Sequence, residues 1–437
     1  MNIILLSGGS GKRLWPLSND IRSKQFIKIF QTDNGFESMV QRVYRQIITV
    51  DPNAAVTIAT SKSQVSTVHN QLGEKIGISV EPCRRDTFAA IALATAYLHD
   101  VKDVDENEAV VVCPVDPYVE DSYFRCVNDI YDKACQGDKN LVLMGIEPTY
   151  PSEKYGYIKP TYDQHGSCSF TFIEKPTTEK AKEYISGGAL WNGGVFAYKL
   201  KYVLNKSRDM LGTSDYNELF SNYDNLEKIS FDYAVVEHET SIEVLRYNGT
   251  WKDLGTWNTL TEAMENDSVG EAIIDGASEN VHVINELDVP VIAMGLKDVI
   301  ISASPEGILV SDKVKSSYIK PIVDSLNQLV MFADKSWGTY KVLDIGKESM
   351  TIKVTLKSGE HMFYHSHERR DEVWTVISGK GRTIVDGMEQ PVKVGDVITM
   401  AAGCKHTVIA ETELQMIEVQ LGKDISVTDK RKYELEI

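Results

Sequence analysis

At 437 residues the chain is longer than one ordinary hydrophobic core supports, so two or three domains are expected. Its 46 lysines and arginines stand against 63 aspartates and glutamates, a net charge of −17, which excludes generic binding to nucleic acid or anionic membrane. Hydrophobic content of 42% and charged content of 25% are globular, and no run approaches the roughly 18 apolar residues that cross a bilayer.

The apolar run Ile3-Ile4-Leu5-Leu6 predicts a buried strand of a parallel sheet. It leads into Ser7-Gly8-Gly9-Ser10-Gly11-Lys12-Arg13, with Lys24 following. Three glycines let a loop bend sharply and bring backbone N–H groups close to a ligand, and cations at its end suit a polyphosphate. Arg13 after Lys12 removes the hydroxyl that a Walker A loop requires, and Leu14 stands where a dinucleotide fingerprint has its third glycine. The start has neither a basic n-region nor a small-residue cleavage site. The six cysteines (83, 113, 126, 135, 168 and 404) form no C-x-x-C pair, which predicts free thiols in a reducing cytoplasm.

Strands are expected at Val56–Thr60, Ile78–Glu81, Ala109–Val112 and Leu141–Ile146, and a helix over Ala89–Leu98 with Asp86 or Thr87 as its N-cap. This alternation predicts an α/β layer fold with a mixed, mainly parallel sheet whose ligand lies beyond the carboxyl ends of the strands. From about 270 to 320, short strands at Val281–Ile284, Val289–Ala293 and Val299–Ile301 suggest a small β-helix-like solenoid element. A linker is expected around Leu326–Lys335. From Trp337 the chain reads as all-β, with strands at Thr351–Leu356, Val373–Ile377, Arg382–Val385, Val397–Met400 and Leu414–Val419. The expected domains are therefore 1–265, 266–325 and 333–437.

In the first domain Asp116 ends Val111–Asp116, Glu174-Lys175-Pro176 closes Phe170–Ile173, and Asp253 lies in Trp251–Trp257. Two carboxylates able to share Mg2+, with lysine and arginine for phosphates, are what nucleotidyl transfer requires, because both reactants are anionic. Taken alone, Asp253 and Asn192 could each be turn residues, and Glu174-Lys175 a solvated pair. The run Gly8–Ser18 followed by Ser23-Lys24-Gln25-Phe26 resembles the signature of sugar-1-phosphate nucleotidyltransferases, most closely the bacterial mannose-1-phosphate guanylyltransferases. Glu81–Thr87, Gly145–Pro148, Tyr155–Ile158, Phe172–Pro176, Trp191–Phe196 and Asp232–Ala234 follow in that family's order.

The resemblance implies a Rossmann-like nucleotidyltransferase domain that joins an NTP to a sugar 1-phosphate and releases pyrophosphate, with GTP and mannose 1-phosphate as substrates. It assigns Arg13 and Lys24 to the triphosphate, Asp116 and Asp253 to Mg2+, and Lys175 to the sugar phosphate. Ser7, Gly8, Gly9, Gly11, Arg85 and Asp86 fall to the nucleotide, and Gly156, Glu174 and Asn192 to the sugar. It also implies a homo-oligomer, a dimer, without nucleic-acid or membrane partners. Ser23, Asp86 and Pro117 depart from the family's proline, asparagine and histidine. Asp86 has two readings, an acceptor for guanine donors or a helix cap. Another base or sugar, as in cytidylyl or thymidylyl transfer, is the nearest alternative activity. A nucleotide-sugar-binding regulatory protein is the alternative from a different class.

In the C-terminal region, Gly359, His365, His367, Glu372 and Gly379 fit the first metal-binding motif of cupins, and a second motif begins at Gly395 and brings in His406. The four ligands His365, His367, Glu372 and His406 predict a site for zinc or a transition metal in a cupin barrel. In bifunctional relatives this domain is a mannose-6-phosphate isomerase. Two extra residues between His367 and Glu372, and a tail without the family's ending, argue against isomerase activity here; another sugar isomerisation or a sensing or dimerisation role remains open.

Overall fold

The computed structural model describes all residues except 10, 20, 34, 163–167, 327, 424, 426–428 and 435–437. Ser10 of the glycine loop, the side chain of Cys168 and the last three residues of the tail thus lie outside the described residues. The chain forms two compact units: Met1–Gly9 with Gln25–Glu265, and the excursion Ser10–Lys24 with Asn266–Ile437.

The first unit is built on a nine-stranded mixed sheet. Asn2–Leu6 lies at its heart, parallel to Ala55–Ser61 on one side and Ala109–Pro114 on the other, with Gly77–Glu81 parallel beyond. Antiparallel pairing begins where Leu190–Lys199 joins Ala109–Pro114 and also Leu141–Ile146. Ile3, Ile4, Leu5, Val110, Val111 and Val112 are all fully buried. Consecutive strand residues point to opposite faces, so both faces of the sheet are covered, as the unbroken apolar runs require. Helix Asp86–Asp100 is apolar around its whole circumference, with ten of its residues buried, and packs with Leu200–Leu211. It begins three residues before the expected Ala89, with Arg85 at the cap position and no side-chain cap bond. Met39–Val50 packs with Asp121–Gln136 and starts on a capping box formed by Ser38 and Gln41.

The second unit opens with parallel coils. Ser268–Val269 pairs with Val283–Ile284, His282–Asn285 with Ile300–Ala303, and Ala272–Ile274 with Val291–Ala293. The turns leave Val281, Val283, Ala293 and Ile301 in one small core. Two further sheets, of six and five strands, form the double-stranded β-structure of the cupin region around Trp374, Val354 and Met416. The expected linker ends in a strand: Phe332–Lys335 pairs with Gly338–Lys341 in a hairpin. Arg431–Lys432 adds to the edge at His365–Ser366, a placement that the tail sequence, without a motif, does not announce.

Candidate active site and metal centre

Three loops of the first unit follow the carboxyl ends of parallel strands. Ser7 follows Leu6, Arg85 follows the strand ending at Glu81, and Asp116 follows the strand ending at Pro114. This is where an open α/β sheet binds its ligand. Ser7 is fully buried, and its hydroxyl and carbonyl both accept from Gln25 Nε2 at 3.0 Å. A Cβ at Gly8 or Gly9 would meet nothing within 4 Å, so the backbone there stays open to a ligand.

Strand pairing brings the backbone segments next to the two carboxylates assigned to the metal alongside each other. Pro117–Val119 and Trp251–Asp253 form a two-stranded antiparallel sheet in which Asp253 stands opposite Pro117, the neighbour of Asp116. Gly255 leaves room there, since a Cβ would come 3.2 Å from Asp253 Oδ1. Oxygen ligands delivered from two adjacent backbones suit a hard divalent cation.

A second group gathers the residues expected to bind the sugar. Glu174 Oε2 lies 2.7 Å from where a Cβ on Gly156 would stand, so glycine keeps that space for the carboxylate. Asn192 N–H donates to Gly156 O at 2.8 Å. The strand carrying Asn192 is bulged between Asn192 and Phe196. Gly194 adopts φ 67, a left-handed conformation that suits glycine, and its N–H donates to Asn192 Oδ1 at 3.0 Å. The bulge thereby re-aims the Asn192 amide, whose Nδ2 donates to Asp232 Oδ1 at 2.6 Å. Burial, with the Glu174 charge nearby, raises the Asp232 carboxyl to about 6.

Lys175 sits at φ 44, a strained setting for a long side chain, and its ammonium pairs with Glu174. Edge-on contacts of Tyr155 with Trp191 at 5.0 Å and with Trp251 at 5.2 Å brace the segments leading to Gly156, Asn192 and Asp253. Asp232 was not singled out as a site residue from sequence. The signal available was its place in Asp232-Tyr233-Ala234; its burial against Asn192 is a tertiary fact.

The remaining predicted residues are placed differently. Arg85 Nε donates to Tyr223 O at 3.3 Å and its guanidinium also reaches Asp224 O, so it ties down the Tyr223–Asn225 turn. Asp86 is exposed at φ 67, and its Oδ1 accepts from Thr87 N–H at 2.8 Å. Arg13 and Lys24 lie on the excursion that belongs to the second unit. There Gly11, at φ 62, is required by close approach, since a Cβ would come 2.7 Å from Lys24 N. Arg13 is exposed on the turn Lys12–Leu14, while Lys12 pairs with Asp324 at 3.2 Å.

The cupin region brings all four expected ligands together. His365, His367, Glu372 and His406 are buried, with their ligand atoms within 4.8 Å of one another. His365 and His406 face each other across antiparallel strands. Each imidazole Nδ1 meets a backbone carbonyl: Phe363 O at 2.6 Å, Asp429 O at 2.8 Å and Cys404 O at 3.0 Å for His365, His367 and His406. A carbonyl only accepts, so each Nδ1 carries the proton. Burial pushes His365 down to about 2 and His367 down to about 4. Neutral rings with Nδ1–H present Nε2 lone pairs inward, and Arg370 Nη2 donates to that of His367 at 3.0 Å. The Nε2 atoms of His367 and His406 lie 3.1 and 3.2 Å from the Glu372 carboxylate oxygens. Opposed lone pairs at that range repel, and a cation between them turns the repulsion into coordination. Arg370 Nε and Trp374 Nε1 donate to Glu372 at 3.0 and 3.2 Å and fix its orientation. The donor set fits a transition metal or zinc. The tail was missed: Asp429 holds His367, and Lys430 stands beside Glu418 and Glu372.

The family model for nucleotidyl transferase matches residues 2–269 and that for the cupin domain residues 352–420. The chain belongs to the nucleotidyl transferase family. It is 27% identical to a mannose-1-phosphate guanylyltransferase of Salmonella montevideo, over 98% of each chain. It is 26% identical to the xanthan biosynthesis protein XanB of Xanthomonas campestris pv. campestris, over 99% of this chain and 97% of that one. A solved structure from Thermus thermophilus, titled mannose-1-phosphate geranyltransferase, aligns with a TM-score of 0.60 and 26% identity, covering 74% of this chain and 98% of that one. As a nucleotidyl transferase the protein is an enzyme, and no helix among the described residues is long and apolar enough to cross a membrane.

Proposed function

We propose that the protein transfers the guanylyl group of GTP to mannose 1-phosphate, forming GDP-mannose and releasing pyrophosphate. The observation that supports the reading is the register that pairs Asp253 with Pro117, the residue after Asp116. Full-length relatives named for the same reaction support the choice of base and sugar. Asp116 and Asp253 would hold Mg2+, which supplies charge neutralisation at the phosphates. The open backbone at Gly8 and Gly9 receives the nucleotide, with the exposed Asp86 carboxylate accepting from donors on the base. Arg13 and Lys24 stabilise the charge that develops at the α-phosphate. Glu174 and Asn192 accept and donate to sugar hydroxyls, Asn192 being held by Asp232, and Lys175 leaves Glu174 to bind the sugar phosphate. The attacking phosphate oxygen displaces pyrophosphate in line, so positioning and electrostatics carry the rate and no covalent intermediate is needed. The described cysteines are free thiols, which suits the reducing cytoplasm we assign to the reaction.

Asp253→Asn tests this assignment. Turnover is expected to fall about 10²-fold or more, with the Mg2+ concentration for half-maximal rate displaced upward. Normal turnover at the usual Mg2+ concentration would remove Asp253 from the site.

A further inference from the structure

The second unit contains a cavity of about 520 Å³ that reaches His365 and His367, a size that suits a small organic ligand. Its wall is mostly apolar, with Trp337, Val342, Met350, Ile352, Val354 and Met362 among the lining residues. Four cations also line it: Lys335, Arg370, Lys430 and Lys432. Glu418 is the single carboxylate among the described lining residues. Such a cavity favours an anionic head on an apolar body. A hexose phosphate satisfies the cations but buries several hydroxyls against aliphatic carbon, each at a cost when left without a partner.

Ile21 also lines this cavity, and it belongs to the excursion that carries Arg13 and Lys24. The residues flanking it are pinned. Asn19 Nδ2 donates to Glu306 Oε1 at 2.6 Å and to Phe332 O at 3.1 Å. The same Glu306 oxygen accepts from Met331 N–H at 2.9 Å, and Arg22 makes two bonds of 2.7 Å to Glu286. Filling the cavity therefore presses on a short segment fixed at both sides, two residues before Lys24.

We propose that the cavity is an effector site for a small organic acid with an apolar body, and that its occupancy sets the conformation of the excursion. The consequence for turnover rests on the role proposed above for Lys24; the binding and the conformational response do not.

The test titrates the full chain, with one equivalent of Mn2+ added, against phenylpyruvate and separately against mannose 6-phosphate by calorimetry. Amide hydrogen exchange is followed over residues 11–24 in the same samples. Phenylpyruvate is expected to bind about tenfold more tightly than mannose 6-phosphate and to slow exchange in that segment about fivefold. Lys335→Gln is expected to weaken the acid about tenfold. Ile21→Ala should keep binding within about threefold while the added protection disappears. Absent phenylpyruvate binding, or tighter mannose 6-phosphate binding, overturns the ligand class, and unchanged exchange on saturation overturns the coupling. Enzyme that releases no pyrophosphate from GTP and mannose 1-phosphate contradicts the proposed reaction alone, since exchange still decides the coupling.

Discussion

The proposed transfer site and the candidate metal centre pose opposite electrostatic problems. The first is assembled from loops beyond a parallel sheet, with backbone left open at Gly8 and Gly9 and with Lys175 and Asp86 at positive φ. Its groups must release a bulky, charged product, so partial exposure serves turnover. The second is buried and held: four ligand residues between 2% and 3% exposed, every imidazole fixed by a carbonyl, and Glu372 held by Arg370 and Trp374. A buried, oriented donor set favours holding an ion over exchanging a substrate. The difference teaches that the transfer site should be kinetically sensitive and structurally tolerant, and the metal centre the reverse.

The largest expected effect separates the two directly. Asp116→Ala is expected to lower nucleotidyl transfer about 10³-fold, and Lys24→Ala about 10²-fold, with circular dichroism and the melting temperature little changed. Steady-state pyrophosphate release checks both; near-normal rates would collapse the distinction. Next, Asp232→Asn probes the buried acid beneath Asn192. A carboxyl raised from 3.8 to about 6 by burial contributes stability that is full below its unfolded value and lost as pH rises through the folded one. Above that window the penalty is on the order of 3 kcal/mol. The variant should therefore be more stable than the parent at pH 8, with the gain vanishing by pH 4, in urea titrations compared across pH.

The reverse pattern is expected at the metal centre. His406→Ala should abolish bound transition metal by elemental analysis and lower the melting temperature. The rate of nucleotidyl transfer measured without added acid should stay within about threefold, because the carboxylates assigned to it belong to the first unit. Loss of transfer on this substitution would tie the two sites together more tightly than the comparison allows. The smallest effect belongs to Lys175→Met. An exposed ammonium paired with Glu174 should raise KM for the sugar phosphate about tenfold and leave KM for GTP unchanged.

Much of this was legible in the chain because local pattern and final burial agree. Ile3–Leu6 reads as a buried strand of a parallel sheet and is one, and His365, His367, Glu372 and His406 meet as their spacing implied. Asp116 and Asp253 were legible as two carboxylates able to share Mg2+, but the three-residue ladder that sets Asp253 opposite Pro117 across 137 residues of chain was not. Asp232 and the tail residues Asp429 and Lys430 were hidden for the same reason: their roles come from tertiary neighbours. The grouping of Ser10–Lys24 with the second unit leaves no trace in periodicity or composition. It arises from single long-range contacts such as Arg22 with Glu286 and Asn19 with Glu306.

The central claim is the guanylyl transfer itself. The most direct measurement is the initial rate of pyrophosphate release in Mg2+ with each of GTP, ATP, CTP, UTP and dTTP, against mannose 1-phosphate and glucose 1-phosphate. The account predicts that GTP with mannose 1-phosphate exceeds every other pair in kcat/KM by about 10²-fold, with GDP-mannose as product. A faster pair with another base or sugar, or no release from any pair, would contradict it.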